Sequence, residues 1–341
     1  MERDQKVWDY IREIKKIWWD SQGVNEKEVR EKLQKVLPFP FQISIEITNL
    51  CNLKCLMCCR PRLQRKIGNM EFGLYKRLVD EISHQYVSSL YLTGDGEPLL
   101  HPQLIEMIQY AKTMGIERVC VGTNCMLLDE GISKQIISSG LDVIVFSVDA
   151  ATQKTYQKLR EGGDFALVTT NVRRFLQLKK EIGNQSPQAV ISFIRMKDNV
   201  TEIESFIDMW RHFLNDTDYI QIRDYDTLAG QVEDRRVSFP ENNRKPCQYL
   251  WQQMVIYWNG DVPVCCKDFH GKCLMGNVTK NTIEELWQGA KFHQLRQMHL
   301  EAKYNNIPLC KNCGSWWIFS AETTGVRIIK SVKEVAENQE G

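Results

Sequence analysis

The chain has 341 residues, of which 43% are hydrophobic and 26% are charged, the usual balance of a folded globular protein. Its 44 basic and 43 acidic residues give a net charge of +1, which offers no sign of nucleic acid or an anionic membrane as partner. No segment approaches the roughly 20 consecutive apolar residues that a membrane helix needs, and the polar N-terminus does not resemble a signal peptide. We therefore expect a cytoplasmic protein.

The first 40 residues form a charged segment with a helical pattern. Its apolar residues recur at steps of three and four and form one stripe, which comprises Trp8, Ile11, Ile14, Ile17 and Trp18. This spacing predicts a helix over 1–36 that packs on the outside of the main domain. Residues 37–40 contain two prolines, which end the helix and mark a boundary at residue 40.

Residues 41–228 alternate between strand-like and helix-like runs. The predicted strands are 41–48, 89–93, 118–121, 143–147, 189–195 and 219–223. The predicted helices are 74–85, 103–113, 130–139, 152–159, 165–181 and 202–213. Six successive β/α units require parallel strands, so we expect an α/β fold with a partial (β/α)6 TIM-like barrel and its site at the carboxyl ends of the strands.

The first predicted strand alternates between isoleucines at 43, 45 and 47 and the polar residues Gln42, Ser44 and Glu46. Two interpretations remain open. The polar side chains either line an open barrel that receives a substrate, or they face solvent.

The pattern changes after residue 228. Residues 229–320 are expected to form a small domain, with a hairpin of strands 254–258 and 262–265 around the turn 259–261. Helices are predicted at 282–288 and 291–302, and the charged segment 321–341 is expected to be a helical tail.

The twelve cysteines fall into two groups, one near residue 55 and one between 247 and 313. Thiols stay reduced in the cytosol, where cysteine clusters more often bind metal than form disulfides. Cys51, Cys55 and Cys58 have the spacing C-x3-C-x2-C directly after the first predicted strand. Three thiolates on one loop can hold three corners of a [4Fe–4S] cluster and leave the fourth iron open to a ligand.

This spacing after a first barrel strand resembles the radical SAM superfamily. Three later motifs occur in the expected order: Gly94-Asp95-Gly96-Glu97-Pro98, Gly122-Thr123-Asn124, and Ser147-Val148-Asp149 followed by Arg160. The resemblance implies that S-adenosylmethionine (SAM) binds the cluster and that an electron donor such as flavodoxin or ferredoxin reduces it. The implied cofactor-binding residues are Met57, Gly94, Gly96, Glu97, Asn124, Ser147 and Arg160. Met57 departs from the family, because many relatives have an aromatic residue there.

A structural zinc site is the alternative for the first cysteine group. Zinc usually takes four ligands from paired knuckles or added histidines, and Cys59 cannot easily reach the metal that its neighbour Cys58 binds. The iron–sulfur interpretation is therefore preferred.

Cys247, Cys265, Cys310 and Cys313 form the second group. Their order, together with residues 276–278 and 283–287, resembles the SPASM/twitch domains that follow radical SAM barrels. No cysteine follows Cys313, so the resemblance implies one auxiliary [4Fe–4S] cluster with all four corners filled. This is the twitch form found in dehydrogenases and epimerases, although four cysteines also suit structural zinc.

The candidate catalytic residue is Cys125, whose thiol could return a hydrogen atom to a substrate radical; a buried structural thiol is the alternative. The candidate substrate residues stand at strand ends: Glu46, Tyr91, Asp149, Arg223, Asp224 and Tyr225. An arginine at position 223 could clamp a carboxylate or phosphate, or belong to a salt-bridged barrel rim.

We expect an oxidoreductase acting on a small molecule such as a sugar or aminocyclitol. The radical would abstract a hydrogen atom from the substrate, and the auxiliary cluster would accept an electron from it. The alternatives are an epimerase, a maturase of ribosomal peptides, and a non-catalytic iron–sulfur protein.

Overall fold

Ten strands carry the architecture of the computed structural model, which describes residues 9–10, 26–183, 185–237, 244–316 and 326–329. The strands are β1 (Gln42–Ile45), β2 (Ser89–Tyr91), β3 (Val119–Thr123), β4 (Val143–Ser147), β5 (Gln188–Arg195), β6 (Tyr219–Asp224), β7 (Gln253–Ile256), β8 (Asp261–Pro263), β9 (Leu274–Asn277) and β10 (Val326–Ile329). Eight of them form one sheet in the order β10-β6-β5-β4-β3-β2-β1-β7, and β8 pairs with β9.

Strands β1 to β6 pair in parallel with their neighbours, as the six predicted β/α units require. The helices are α1 (Glu26–Leu33), α2 (Phe72–Ser83), α3 (Leu104–Thr113), α4 (Glu130–Ser138), α5 (Gln153–Leu159), α6 (Phe165–Ile182), α7 (Ile203–Trp210), α8 (Tyr249–Gln252), α9 (Ile283–Trp287), α10 (Ala290–Leu300) and α11 (Pro308–Lys311). Helices α2 to α7 cross over between successive strands. The predicted α/β fold with a mostly parallel sheet is confirmed.

The N-terminal helix predicted over 1–36 can be compared only in part. Helix α1 lies within it, whereas the apolar stripe from Trp8 to Trp18 lies outside the described residues. None of the described helices is long and apolar enough to span a bilayer.

The predicted hairpin of 254–258 and 262–265 is wrong in its pairing. Its turn forms, because the Tyr257 amide donates to the Asp261 carbonyl at 2.8 Å and Gly260 adopts φ +85°. Strand β7, however, pairs in parallel with β1, and β8 pairs antiparallel with β9. Joining the edge of the main sheet buries Met254 and Ile256 completely.

The predicted helical tail is also wrong where the structure describes it. Residues Val326–Ile329 form a strand that pairs antiparallel with β6. Three of these four residues are β-branched, which favours a strand, and they cover the otherwise open edge of β6. The domain boundaries at residues 40, 228 and 320 remain a proposal. Strands β7 and β10 lie beyond residue 228 in the chain, yet both belong to the same sheet as the strands of residues 41–228.

The alternation in β1 separates two faces of the sheet. Ile43, Ile45 and Ile47 belong to the main apolar core. On the other face, Ser44 donates to the Thr93 carbonyl at 2.8 Å, and Glu46 has no exposed surface. The polar residues of β1 therefore point inward, and Ser44 and Glu46 do not face solvent.

Candidate functional site

The loop after β1 carries three half-buried thiols, those of Cys51, Cys55 and Cys58. Burial is the main cause that raises the pKa of each thiol, and it raises the pKa of Cys58 to about 12. A nitrogen donor lies near each sulfur: Leu53 N at 3.5 Å from Cys51, Arg160 Nη1 at 3.7 Å from Cys55, and Arg60 N at 3.3 Å from Cys58. Buried thiols with such donors suit iron, whose positive charge stabilises the thiolate form.

Arg160 lies beside this loop and is buried rather than on the surface. Its Nε donates to Asp149 Oδ2 at 3.1 Å, and its Nη2 forms an ion pair with the same oxygen. Asp149 has no exposed surface, and its Oδ1 accepts the Ile194 amide at 2.7 Å. The candidate substrate residue Asp149 therefore holds Arg160 in place next to Cys55.

Glu97 is buried, and it precedes a short helical turn at Pro98–Leu100 that follows Gly94 and Gly96. Its carboxylate accepts the Asn124 amide at 2.7 Å, the Thr123 hydroxyl at 2.8 Å and the Leu99 amide at 3.1 Å. Asn124 in turn donates to Asn52 Oδ1 at 2.7 Å, within the cysteine loop. Glu97 thus joins the loops after β1, β2 and β3 into one hydrogen-bonded unit.

Gly94 and Gly96 lie where two loops of the chain pack closely against each other. A Cβ on Gly96 would stand 2.4 Å from the Thr48 carbonyl oxygen, and one on Gly94 would stand 2.5 Å from Glu46 Cβ. The glycines let the loop after β2 lie directly against the chain that leaves β1.

Met57 and Tyr225 belong to one small apolar cluster at the mouth of the sheet. Met57 is 8% exposed, and the Tyr225 hydroxyl donates to the Glu233 carbonyl at 2.8 Å. Ser147, at the end of β4, is half-buried and lies opposite Ser192 of β5. The structure therefore places Met57, a predicted cofactor residue, and Tyr225, a predicted substrate residue, in the same apolar cluster.

The candidate catalytic thiol of Cys125 has no exposed surface and belongs to the main core. Its sulfur lies 3.6 Å from the Thr123 carbonyl, and its carbonyl accepts Asn171 Nδ2 at 2.9 Å. Its catalytic role stays a prediction that the observed burial does not favour.

Arg65 forms several contacts at the carboxyl end of β1, and the sequence analysis did not identify it as a site residue. Its guanidinium pairs with both oxygens of Glu46, at 2.9 and 2.7 Å, and with Asp95 at 2.7 Å. It also stacks 3.5 Å from the centroid of the Tyr257 ring and donates to the Phe269 carbonyl at 2.7 Å. These contacts link the SAM motif to the C-terminal region, and no local pattern around residue 65 signals them.

Residues 223–226 at the end of β6 include two aspartates in ion pairs and one exposed arginine. Asp224 pairs with Arg195 at 2.6 Å, and Asp226 pairs with Lys267 at 2.7 Å, as in a salt-bridged rim. Arg223 is exposed on the inner face, where Ser192 Oγ at 3.5 Å is its one recorded hydrogen-bond partner among the described residues. Tyr91 lies deeper on this face, half-buried beside Cys120.

The second cysteine group lines one partly open pocket. Cys247, Cys265, Cys310 and Cys313 all line it, although they come from three separate segments of the chain. Within the described residues, no three Cys, His, Asp or Glu side chains are grouped as ligands of a single metal ion. Four thiols at one pocket can supply the four ligands of a [4Fe–4S] cluster.

Comparison with known proteins agrees with both sites. Residues 45–187 match the radical SAM superfamily, and residues 247–314 match the SPASM iron–sulfur cluster-binding domain. The chain contains a radical SAM domain followed by a SPASM domain. It has a SAM-binding [4Fe–4S] cluster and an auxiliary iron–sulfur cluster as cofactors.

Three named proteins are similar to this chain along most of their length. The S-adenosyl-L-methionine-dependent 2-deoxy-scyllo-inosamine dehydrogenase of Niallia circulans is 24% identical over 80% of this chain and 92% of its own. The mycofactocin maturase MftC of Mycobacterium ulcerans is 23% identical over 84% of this chain and 83% of its own. The cofactor-modifying protein for a tungsten-containing aldehyde ferredoxin oxidoreductase of Pyrococcus furiosus is 21% identical over 79% and 86%.

Two solved structures share the radical SAM fold with this chain. BtrN in complex with AdoMet and 2-DOIA has a TM-score of 0.58 at 20% identity, covering 80% of this chain and 92% of BtrN. Streptococcus suis SuiB bound to the precursor peptide SuiA has a TM-score of 0.66 at 14% identity, covering 86% and 77%.

Proposed function

We propose that this radical SAM enzyme is an oxidoreductase that removes two hydrogen atoms from a small molecule and delivers one electron to the auxiliary cluster. The observation that carries the proposal is the auxiliary pocket lined by Cys247, Cys265, Cys310 and Cys313, whose four thiols can fill every corner of one cluster. A cluster without an open iron cannot chelate substrate, which leaves electron transfer or a structural role, and we propose electron transfer. The dehydrogenase of Niallia circulans supports this reading as a relative.

When bound, the SAM-binding cluster and SAM supply a 5′-deoxyadenosyl radical that abstracts a hydrogen atom. The chain's own residues hold and orient the reactants. Cys51, Cys55 and Cys58 are proposed to hold three irons, while Arg160 stands at Cys55 with its guanidinium fixed by Asp149. The unit of Glu97 and Asn124 fixes the loops around the methionine end of SAM. Cys247, Cys265, Cys310 and Cys313 would hold the auxiliary cluster, which would supply an acceptor for the electron that the substrate radical gives up when it loses a proton to solvent or a base.

Arg223 is the proposed contact for an anionic group of the substrate. Glu46, Asp149 and Asp224 each have a cationic partner, so they offer no unpaired charge to a ligand. Arg223 is exposed on the inner face of β6, opposite Ile194 in register. Ile194 packs on the cluster that contains Met57, so an anion at Arg223 would lie beside the SAM site. A carboxylate or phosphate is the group that a guanidinium recognises best.

The test is an anaerobic assay of deoxyadenosine formation with a panel of aminocyclitols, neutral sugars, sugar phosphates and short peptides. The expected substrate accelerates deoxyadenosine formation and yields a product two hydrogen atoms lighter. An unchanged product mass with deuterium uptake from heavy water would establish an epimerase instead. In the same assay Arg223→Gln should raise KM about tenfold or more for an anionic substrate, whereas Lys154→Gln, on exposed surface, should not.

Peptide maturation is the second candidate, favoured by the similarity to mycofactocin maturase over more than four-fifths of both chains. A modified peptide in the panel, with no turnover of the small molecules, would replace the first proposal with this one.

A further inference from the structure

Two buried nitrogen donors among the residues that line the auxiliary pocket have no hydrogen-bond partner in the part of the chain that the structure describes. They are His299 Nε2 and Arg244 Nε. Leaving a buried polar group unpaired costs about 1–3 kcal/mol, so such groups in a native site indicate an occupant that pairs with them. The occupant must be rich in hydrogen-bond acceptors.

The hydrogen bond at the other ring nitrogen fixes the role of His299. The Cys247 amide donates to His299 Nδ1 at 3.2 Å, so Nδ1 carries a lone pair. A neutral imidazole has one donor and one acceptor nitrogen, and the proton therefore sits on Nε2. A protonated Nε2 is a hydrogen-bond donor and cannot also be a metal ligand.

The His299 ring is held rigidly in this orientation. It lies on α10, is 1% exposed, and packs edge-to-face on Tyr304 with 5.1 Å between ring centroids. Arg244 stacks on the same Tyr304 ring at 4.3 Å and donates through Nη2 to the Cys310 carbonyl at 2.8 Å. Both side chains are thus hydrogen-bonded to the backbone of a cysteine that lines the pocket, His299 to Cys247 and Arg244 to Cys310.

We propose that His299 Nε2 donates a hydrogen bond to a sulfur of the auxiliary cluster, with Arg244 Nε as a second donor, and so raises the cluster's reduction potential. Reduction adds negative charge to the cluster, and an N–H dipole aimed at its sulfur stabilises the reduced form more than the oxidised form. In this scheme His299 contacts the auxiliary cluster and does not contact the substrate. The inference depends on the auxiliary cluster and is independent of the proposed reaction.

The test uses the full chain with Cys51, Cys55 and Cys58 replaced by alanine, so that only the auxiliary cluster contributes to the spectra. Reconstituted protein is titrated anaerobically and followed by EPR, and exchangeable protons near the cluster are measured by ENDOR in heavy water. His299→Leu removes the donor, and His299→Gln retains an amide donor. His293→Gln is the matched control, because His293 is exposed on the same helix.

We expect His299→Leu to keep about four irons per chain, to shift the potential to more negative values and to lose one exchangeable proton coupling. His299→Gln should show a smaller shift, and His293→Gln none. Equal potentials in His299→Leu and His293→Gln would overturn the inference. If His299→Leu loses its cluster, the triple alanine variant with His299 intact is labelled with ¹⁵N-histidine instead. A ¹⁵N coupling to the cluster that disappears in His299→Gln would support the hydrogen bond from His299. The absence of any such coupling would refute it.

Discussion

The two cysteine sites of this protein are built in opposite ways. The first takes three thiols from eight consecutive residues of the loop that follows β1. The second takes four thiols from three distant segments around one pocket. An incomplete set of ligands leaves a position open and suits binding and cleavage of a cofactor, whereas a complete set suits electron transfer. The contrast predicts that the two sites fail separately.

The largest expected effect comes from removing the first site. The triple variant with alanine at Cys51, Cys55 and Cys58 should form no deoxyadenosine above background, and its iron content should fall from about eight to about four per chain. Replacing Cys310 and Cys313 should instead preserve SAM cleavage and abolish substrate oxidation. Iron and sulfide analysis with the anaerobic assay measures both. SAM cleavage by the triple variant would contradict the division between the sites.

The next effect concerns the ion pair beneath the first site. Asp149→Leu leaves Arg160 buried without its partner, which should destabilise the protein by about 3–5 kcal/mol. The double variant with Arg160→Leu should lose less than the sum of the two single variants. Urea unfolding gives these values. Lys134→Leu is the control, since the Lys134–Glu130 pair is exposed and should contribute less than about 1 kcal/mol. A similar loss of unfolding free energy in Lys134→Leu would show that burial of the ion pair does not determine how much stability is lost.

A smaller effect is expected where the loop after β2 meets β1. Gly96→Ala would place a methyl group 2.4 Å from the Thr48 carbonyl oxygen, a backbone atom that cannot move aside easily. We expect a loss of about 1–3 kcal/mol and weaker SAM binding, because Glu97 follows directly. Gly73→Ala, with no atom within 4 Å of the new methyl, should be neutral or stabilising by up to about 1 kcal/mol. Calorimetric SAM titration and thermal unfolding measure both, and equal behaviour of the two variants would rule out the packing explanation.

The two sites also differ in how far the sequence predicts them. The first site was predictable because its loop, its glycine motif and Arg160 lie in a fixed order along consecutive β/α units. The grouping of the second set of cysteines was recognisable only through resemblance, since Cys247 and Cys310 meet through tertiary packing. Arg65 and His299 could not be predicted, because their partners lie up to about 200 residues away in the chain. The same holds for β7 and β10, whose apolar residues could have paired locally but extend the main sheet.

The last expected effect is a dependence of stability on pH, and it arises where the two regions touch. Asp95 and Glu46 share the guanidinium of Arg65, and burial together with the charge of Glu46 raises the pKa of Asp95 well above its ordinary 3.8. The folded protein therefore retains a proton that the unfolded chain has lost, and this contribution to stability falls as the pH rises above 3.8 toward the raised pKa.

Asp95→Asn should remove this dependence while its amide oxygen still accepts from Arg65. The wild-type protein should lose up to about 1.4 kcal/mol per pH unit more than the variant over this window. Thermal unfolding across the pH range measures the difference. Asp208→Asn, in an exposed ion pair on α7, serves as the control. Parallel pH profiles for wild type and Asp95→Asn would mean that Asp95 is ionised in the folded protein, and that Arg65 neutralises both carboxylates at the junction of the two regions.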